Sequence, residues 1–121
     1  MPTVTTTYAA TLTDSSNATM TTASLVINPD SSFTMTSTGA IPFTASGTIS
    51  FPAASSTGAL NGTIIFTQPV TWNGLEVRQV GSYSLGGNIT TASASAFTGT
   101  FGFFYLSQLS PGANFQATSA P

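Results

Sequence analysis

Apolar and polar residues alternate with a period of two along much of this 121-residue chain. Phe33 and Met35 alternate with hydroxyl residues, and Phe101, Phe103 and Tyr105 share one face of a later segment. Successive side chains of a β-strand point to opposite faces, so this spacing indicates strands with one buried face. No long segment carries apolar residues at helical spacing, and Thr, Ser and Gly are weak helix formers. The sequence therefore predicts an all-β protein.

Turn sequences separate the alternating segments at intervals typical of antiparallel β-proteins. They are rich in Asn, Asp, Gly and Pro and lie at 14–17, 28–30, 39–42, 52–58, 73–74 and 86–87. The predicted strands lie near 4–13, 18–28, 31–38, 44–51, 59–67, 75–84, 88–92 and 95–106, with a short piece at 69–72. We expect one all-β domain over 1–121, with an irregular C-terminal tail from about 110 because that segment is rich in Pro, Ser and Ala.

A pattern of Gly-Thr followed by two alternating apolar residues occurs within 46–51, 61–66 and 98–103. Glycine inside a strand marks a bulge, a bend or the close approach of another backbone. Its recurrence is typical of a strongly coiled sheet that closes on itself. We therefore predict an antiparallel barrel of about eight strands, up-and-down or Greek-key, with a two-sheet β-sandwich or jelly roll as the alternative.

Charge is nearly absent from the chain, whereas hydroxyl side chains are abundant. Only 3% of the residues are charged and the net charge is −2, while Thr and Ser contribute 23 and 17 residues. Nucleic acids and anionic membranes attract clustered Lys and Arg, so neither is expected as a partner. The apolar runs are far shorter than the roughly 18 residues of a spanning helix, so no membrane insertion is expected. Weak mutual repulsion favours self-association into a homo-oligomer or a host assembly.

The side chains of conventional catalysis are missing. The chain has no His, Cys or Lys, so neither a Ser-His-Asp or Cys-His arrangement nor a Ser-Lys pair can be built. The carboxylates are Asp14, Asp30 and Glu76, and both aspartates stand in turn sequences where Asp caps its own backbone. This set is poor for a metal site or a glycosidase pair. We predict a non-enzymatic protein without catalytic residues, metal or cofactor.

The segment 70–78 predicts a hairpin with a type I′ turn, for which Asn73-Gly74 is the preferred centre. The turn places Trp72, the chain's one tryptophan, beside it. On the following strand Leu75 and Val77 take the face opposite Glu76.

Two interpretations of this hairpin stay open. In the first it is a recognition site: Trp72 stacks on a sugar or another flat ligand, Glu76 and Arg78 make directed hydrogen bonds, and Tyr83 adds to the site. In the second the indole fills the core and Glu76 and Arg78 form an exposed pair of little energetic weight. The second interpretation is the favoured one.

The segment 95–106 carries apolar residues on both faces. Phe103, Phe104 and Tyr105 are consecutive, so Phe104 and Leu106 point away from the face that enters the core. Apolar residues on an outer face are stabilised when another molecule buries them. Phe104 and Leu106 are therefore candidate interface residues between subunits.

Two further patterns carry little information. The sequons at Asn17, Asn61 and Asn88 are close to the number expected by chance in a chain so rich in Ser and Thr, and their glycosylation stays open. Thr-x-Thr repeats could suit ice binding, but their irregular spacing favours ordinary outward strand positions.

From these features we expect a structural or assembly β-domain that self-associates or decorates an extracellular or virion scaffold. The alternative is a small binding module or lectin that recognises a carbohydrate or small apolar ligand near Trp72. An extracellular or surface-exposed location is expected, with the cytoplasm as the open alternative.

Overall fold

The computed structural model describes residues 5–14, 16, 18–50, 57–93, 96–105, 108–109 and 113–119. Regular structure in these ranges is entirely β. The strands are β1 (Thr6–Thr13), β2 (Thr19–Ile27), β3 (Ser32–Ser37), β4 (Thr44–Ser50), β5 (Thr57–Phe66), β6 (Val70–Trp72), β7 (Leu75–Val77), β8 (Gly81–Ser93), β9 (Ala96–Tyr105), β10 (Gln108–Leu109) and β11 (Ala113–Ser119). No helix that could cross a membrane is present in the part of the chain that these ranges cover.

Eight strands form a closed antiparallel barrel, which confirms the predicted fold class. The order around the ring is β1-β2-β3-β4-β5-β8-β9-β11, and β11 returns to pair with β1. Each barrel strand therefore neighbours the previous one along the chain, so the topology is up-and-down and not Greek-key. The β6–β7 pair is a separate two-stranded sheet inserted between β5 and β8, and β10 adds a short pair to β9.

The barrel interior is a solid apolar core. Alternate residues of every barrel strand point inward, as in the buried positions Tyr8, Ala10 and Leu12 of β1. A barrel of eight strands is just wide enough for side chains to fill. Its most fully buried large side chains are Trp72, Phe33, Phe66, Phe101, Phe103, Phe115, Leu12, Leu25, Ile27, Met35, Ile49 and Leu60.

The outer wall is clad in hydroxyl and amide side chains and carries no charge. None of the eight barrel strands contains Asp, Glu, Lys or Arg. Outward positions pair across strands, for example Thr34 with Ser46 and Ser46 with Thr63. All four charged residues lie in turns or in the β6–β7 hairpin.

Glycines allow adjacent barrel strands to approach closely, as the Gly-Thr pattern predicts. Gly47 on β4 stands opposite Gly62 on β5, and a Cβ on Gly62 would lie 2.0 Å from the Ser46 carbonyl oxygen. A Cβ on Gly47 would lie 2.0 Å from the Asn61 carbonyl oxygen. These contacts are far shorter than real Cβ contacts, so only glycine fits this crossing of the coiled sheet.

The turn predicted at 86–87 is wrong, because β8 runs unbroken from Gly81 to Ser93. Gly87 pairs with Leu60 on one side and Phe101 on the other, and a Cβ there would lie 2.0 Å from the Thr100 carbonyl oxygen. The glycine marks close backbone approach inside a strand, not a chain reversal. The strand predicted at 75–84 is in turn divided, since β7 ends at Val77 and β8 begins at Gly81.

The irregular tail predicted from about 110 is also wrong over the described residues 113–119. These form β11, which pairs with β9 and β1 and closes the barrel. Ala113, Phe115 and Ala117 point into the core and the residues between them are exposed. The strand is stabilised by ladders on both sides, which outweighs the weak strand preference of alanine.

The hairpin lies at one end of the barrel. Strands β1, β3, β5 and β9 finish at this end, which we call the hairpin end, and the intervening antiparallel strands begin there. The β1–β2 turn with Asp14 is at the hairpin end, whereas the β2–β3 turn with Asp30 is at the opposite end.

Candidate functional site

The hairpin of β6 and β7 is built as its sequence predicts. Asn73 and Gly74 both have positive φ, 47° and 86°, as a type I′ turn requires. Trp72 pairs with Leu75 across the turn, and Thr71 pairs with Glu76. The hairpin therefore presents one face to the barrel and the other to solvent.

Trp72 lies in the core, with none of its surface exposed. Four phenylalanine rings surround the indole, with ring centroids 5.4 to 6.1 Å away: Phe43, Phe66, Phe101 and Phe103. The Phe43, Phe66 and Phe103 rings meet it at interplanar angles of 70° to 83°, the edge-to-face arrangement that aromatic pairs prefer. The indole thus occupies the position required by the second interpretation of the hairpin. Stacking of Trp72 on a surface ligand stays a prediction and requires the hairpin to move.

The indole nitrogen of Trp72 is buried without a hydrogen-bond partner among the described residues. A buried donor of this kind costs about 1–3 kcal/mol. The aromatic enclosure offers ring faces, which are weak acceptors at best. The surrounding side chains therefore fit the shape of the indole but do not provide an acceptor for its N–H group.

Two tyrosines, Tyr83 and Tyr105, hold the base of the hairpin by hydrogen bonds, and we call them the tyrosine clamp. The Tyr105 hydroxyl accepts hydrogen bonds from the backbone N–H groups of Arg78, at 2.9 Å, and Gln79, at 3.1 Å. The Tyr83 hydroxyl donates to the Gln79 carbonyl oxygen. The two tyrosine rings are 5.3 Å apart in a T-shaped contact, and desolvation raises the pKa of Tyr83 above its ordinary value. The Tyr83 hydroxyl therefore stays protonated and neutral at physiological pH.

Glu76 and Arg78 form an ion pair on the solvent side of the hairpin. The Arg78 Nη2 and Nε atoms lie 2.6 and 3.0 Å from Glu76 Oε2. The hydrogen bond and the charge of Glu76 raise the pKa of Arg78. The two side chains stay 62% and 78% exposed, so the pair adds little to stability.

A shallow cleft of about 270 Å³ lies beside this ion pair. Its described lining is Pro69, Val70, Thr71, Glu76, Val77 and Arg78. The structure therefore brings Glu76 and Arg78 into one cleft, while Trp72 and Tyr83 lie outside its lining. Tyr83 packs instead against Phe66 and Phe103. The four predicted ligand-binding residues cluster around the hairpin but do not share one surface.

The candidate interface residue Phe104 is 53% exposed on the outer wall. Leu106 lies outside the described residues. Two further large apolar side chains are exposed: Ile65 on β5, at 40%, and Val80, immediately before β8, at 55%. Sequence reasoning missed Ile65, although the consecutive apolar run 64–66 carries the same signal as 103–105.

The aspartates cap turns, as their sequence context predicts. Asp14 Oδ1 accepts hydrogen bonds from the N–H groups of Ser16 and Ala18, and Asp30 Oδ1 accepts from Ser32. The nine residues of β2 separate the two turns. Within the described ranges no three potential metal-ligating side chains come together.

Two of the three sequon asparagines lie on the described outer wall. Asn61 on β5 and Asn88 on β8 are both exposed, and Asn88 accepts a hydrogen bond from the Thr100 hydroxyl at 3.0 Å. Asn17 lies outside the described residues.

The enclosure of Trp72 could not be found from sequence. Phe43, Phe66, Phe101 and Phe103 are separated by up to 60 residues, and only barrel closure brings them together. The role of the Tyr105 hydroxyl could not be predicted from the sequence either, because its hydrogen-bond partners are backbone groups, which every residue type provides.

Comparison with known proteins adds no family to this description. The sequence matches no protein-family model, and neither curated proteins nor solved structures give a match.

Proposed function

We propose that this protein is a non-enzymatic structural β-domain that packs against copies of itself, as a unit of an extracellular or virion scaffold. The observation that carries the proposal is the exposed aromatic ring of Phe104 on a wall that consists mostly of hydroxyl and amide side chains. Exposed apolar groups that cluster on a rigid surface favour association, because contact removes them from water.

Two other exposed apolar side chains belong to the same part of the barrel wall as Phe104. Ile65 on β5 pairs with Ser82 on β8. Phe103 on β9 pairs with Leu85, so Phe104 lies level with Ser84, two residues along β8 from Ser82. Val80 immediately precedes β8. We call Ile65, Val80 and Phe104 the apolar patch. Its members lie on β5, immediately before β8 and on β9, near the hairpin end, with the exposed Ser82 and Ser84 of β8 between them.

The surroundings of the apolar patch also favour contact between copies. Burial of a charge against a partner is costly unless the charge is paired, and the barrel wall carries none. Two walls can therefore meet without desolvating a charged group. Hydroxyl side chains around the patch can exchange water for hydrogen bonds across such a contact.

The test is the oligomeric state across concentration. Sedimentation velocity of the wild type, from micromolar to millimolar protein, is expected to show reversible association. Phe104→Lys places a charge in the apolar patch and is expected to shift association to at least tenfold higher concentration.

Thr34→Lys is the matched control. Thr34 is an exposed residue of β3, four strands from β9 in either direction around the ring, so the same charge is added on the far side of the barrel. This variant is expected to associate like the wild type. A wild type that stays monomeric throughout would overturn the proposal, as would equal effects of the two lysines.

A second candidate function is carbohydrate binding, favoured by the cleft that Glu76 and Arg78 share. A carboxylate and a guanidinium side by side can donate to and accept from neighbouring sugar hydroxyls. A glycan array is the test, with the variant Glu76→Gln as the comparison. Binding that is lost in the variant supports this function, and an array without any bound glycan contradicts it.

A further inference from the structure

The hairpin end of the barrel has the construction of a ligand site. Barrels of eight strands are wide enough to hold one small molecule at the mouth. Here the mouth is filled by a piece of the same chain, since Trp72 and Val77 of the hairpin are both fully buried there.

The hairpin is attached to the barrel by side chains, not by a backbone ladder. Among the described residues β6 pairs with β7, and this pair forms its own sheet. The ring of eight strands is closed without it. The hairpin can therefore leave the mouth without breaking a backbone ladder of the barrel, and the hydrogen bonds that hold its base are those of Tyr105 and Tyr83.

The space that Trp72 occupies is a slot for a planar ring. Phe66, Phe101 and Phe103 come from the interior faces of β5 and β9, and Phe43 precedes β4, so the walls of the slot belong to the barrel and not to the hairpin. Their rings meet the indole at 53° to 83° to its plane, so the space that they enclose has the shape of the indole that fills it. These walls therefore stay with the barrel when the hairpin moves out.

The unpartnered indole nitrogen of Trp72 indicates which molecules suit this slot. The described residues provide no acceptor for the N–H group. A ring system of the same shape without a polar hydrogen would fill the slot and leave no donor unsatisfied. The slot is therefore better matched to an apolar planar molecule than to its present occupant.

We propose that the hairpin end of the barrel is a binding site for a planar apolar molecule of indole size, and that Trp72 is its displaceable internal occupant. The binding-competent state is the one in which the hairpin has moved out. Apparent affinity is reduced by the fraction of molecules in that state. This site is independent of the apolar patch on the outer wall.

The experiment follows Trp72 directly. Because the chain has one tryptophan, labelling with 5-fluorotryptophan gives a single ¹⁹F resonance. The probe is benzothiophene, which has the shape of indole without the N–H group. We expect saturable conversion of the buried resonance into one near the position of free 5-fluorotryptophan, with the far-UV circular dichroism of the barrel unchanged.

The variant Tyr105→Phe sharpens the titration. It deletes the hydroxyl that accepts from Arg78 and Gln79, which weakens the closed hairpin without touching the slot. The half-saturating benzothiophene concentration is expected to fall about tenfold. Tyr8→Phe is the control, because Tyr8 lies on β1 near the opposite end, where it pairs with Ser119, and it is expected to leave that concentration unchanged.

Three outcomes would overturn the proposal. The first is a Trp72 resonance that stays in place in both the wild type and Tyr105→Phe up to the solubility limit of benzothiophene. The second is displacement that occurs together with loss of the barrel's circular dichroism. The third is an equal effect of cyclooctane, which is apolar but not planar.

Discussion

The barrel wall and the hairpin are made of the same element, an antiparallel strand pair, but different contacts hold them. β5 and β8 are joined by a ladder of ten residue pairs, and each has a further neighbour on its other side. β6 and β7 share three pairs and rely on Trp72, Val77 and the tyrosine clamp for their position. The wall distributes its stability along the backbone, whereas the hairpin concentrates it in a few side chains.

This difference predicts the largest effect for truncation of Trp72. Trp72→Ala removes the indole from its enclosure and is expected to lower the free energy of unfolding by about 3–5 kcal/mol. The matched control is Phe104→Ala, which shortens an aromatic side chain that is 53% exposed and is expected to cost less than about 1 kcal/mol. Urea unfolding followed by circular dichroism measures both. Similar losses of stability for the two variants would mean that Trp72 does not provide most of the stabilisation of the hairpin.

In the wall, the positions at which a substitution lowers the stability most are those where two backbones approach closely. Gly87→Ala would place a Cβ 2.0 Å from the Thr100 carbonyl oxygen and is expected to cost about 1–3 kcal/mol or more. Gly86→Ala is the neighbouring control, because a Cβ there meets nothing within 4 Å. It is expected to change stability by less than about 0.5 kcal/mol. Equal stability of the two variants in urea unfolding would contradict close approach of β8 and β9.

The turn of the hairpin should give a smaller effect. Gly74 has a φ of 86°, so Gly74→Ala forces a side chain into the left-handed region at a cost of about 1 kcal/mol. Nothing within 4 Å opposes the new methyl group, so the effect comes from backbone conformation alone. Urea unfolding should show this loss while the emission maximum of Trp72 stays that of a buried indole. A red-shifted emission would show that the turn also fixes the indole in place.

The smallest effect is expected at the β2–β3 turn of the wall. Ser32 donates from its hydroxyl and its N–H to Asp30 Oδ1, at 2.6 and 3.0 Å, and these bonds lower the pKa of Asp30 below its ordinary 3.8. Because the folded pKa is the lower one, the stabilisation is present above pH 3.8 and is lost as the pH falls through the folded value. A carboxyl ¹³C titration should give a midpoint below 3.8. A midpoint at or above that value would exclude these hydrogen bonds in solution.

Sequence reasoning reached the barrel because the inward residues alternate and the Gly-Thr pattern indicates a coiled sheet. It wrongly assigned a turn to residues 86–87, because a pair of glycines indicates a turn unless the strands on both sides are known. It missed β11 because alanines at 113 and 117 give a weak apolar signal. The ladder that stabilises β11 pairs Tyr8 with Ser119, a contact between distant parts of the chain.

For the candidate site, too, the sequence predicted the local features but not the contacts between distant strands. The type I′ turn and the Glu76–Arg78 pair follow from local sequence, so both were found. The enclosure of Trp72 and the tyrosine clamp depend on which strands become neighbours when the barrel closes, and no local pattern encodes that. Phe104 was found because three consecutive large side chains cannot all face one core.

The pairing of β11 with β1 has a consequence for synthesis of the chain. Until β11 has left the ribosome, β1 and β9 each present a row of unpaired backbone groups with apolar residues beside them. A contact between the first and the last barrel strand forms slowly, because the whole intervening chain must be ordered to bring them together. Nascent chains that meet during this interval can pair edge to edge, so the yield of folded protein should fall as the density of nascent chains rises.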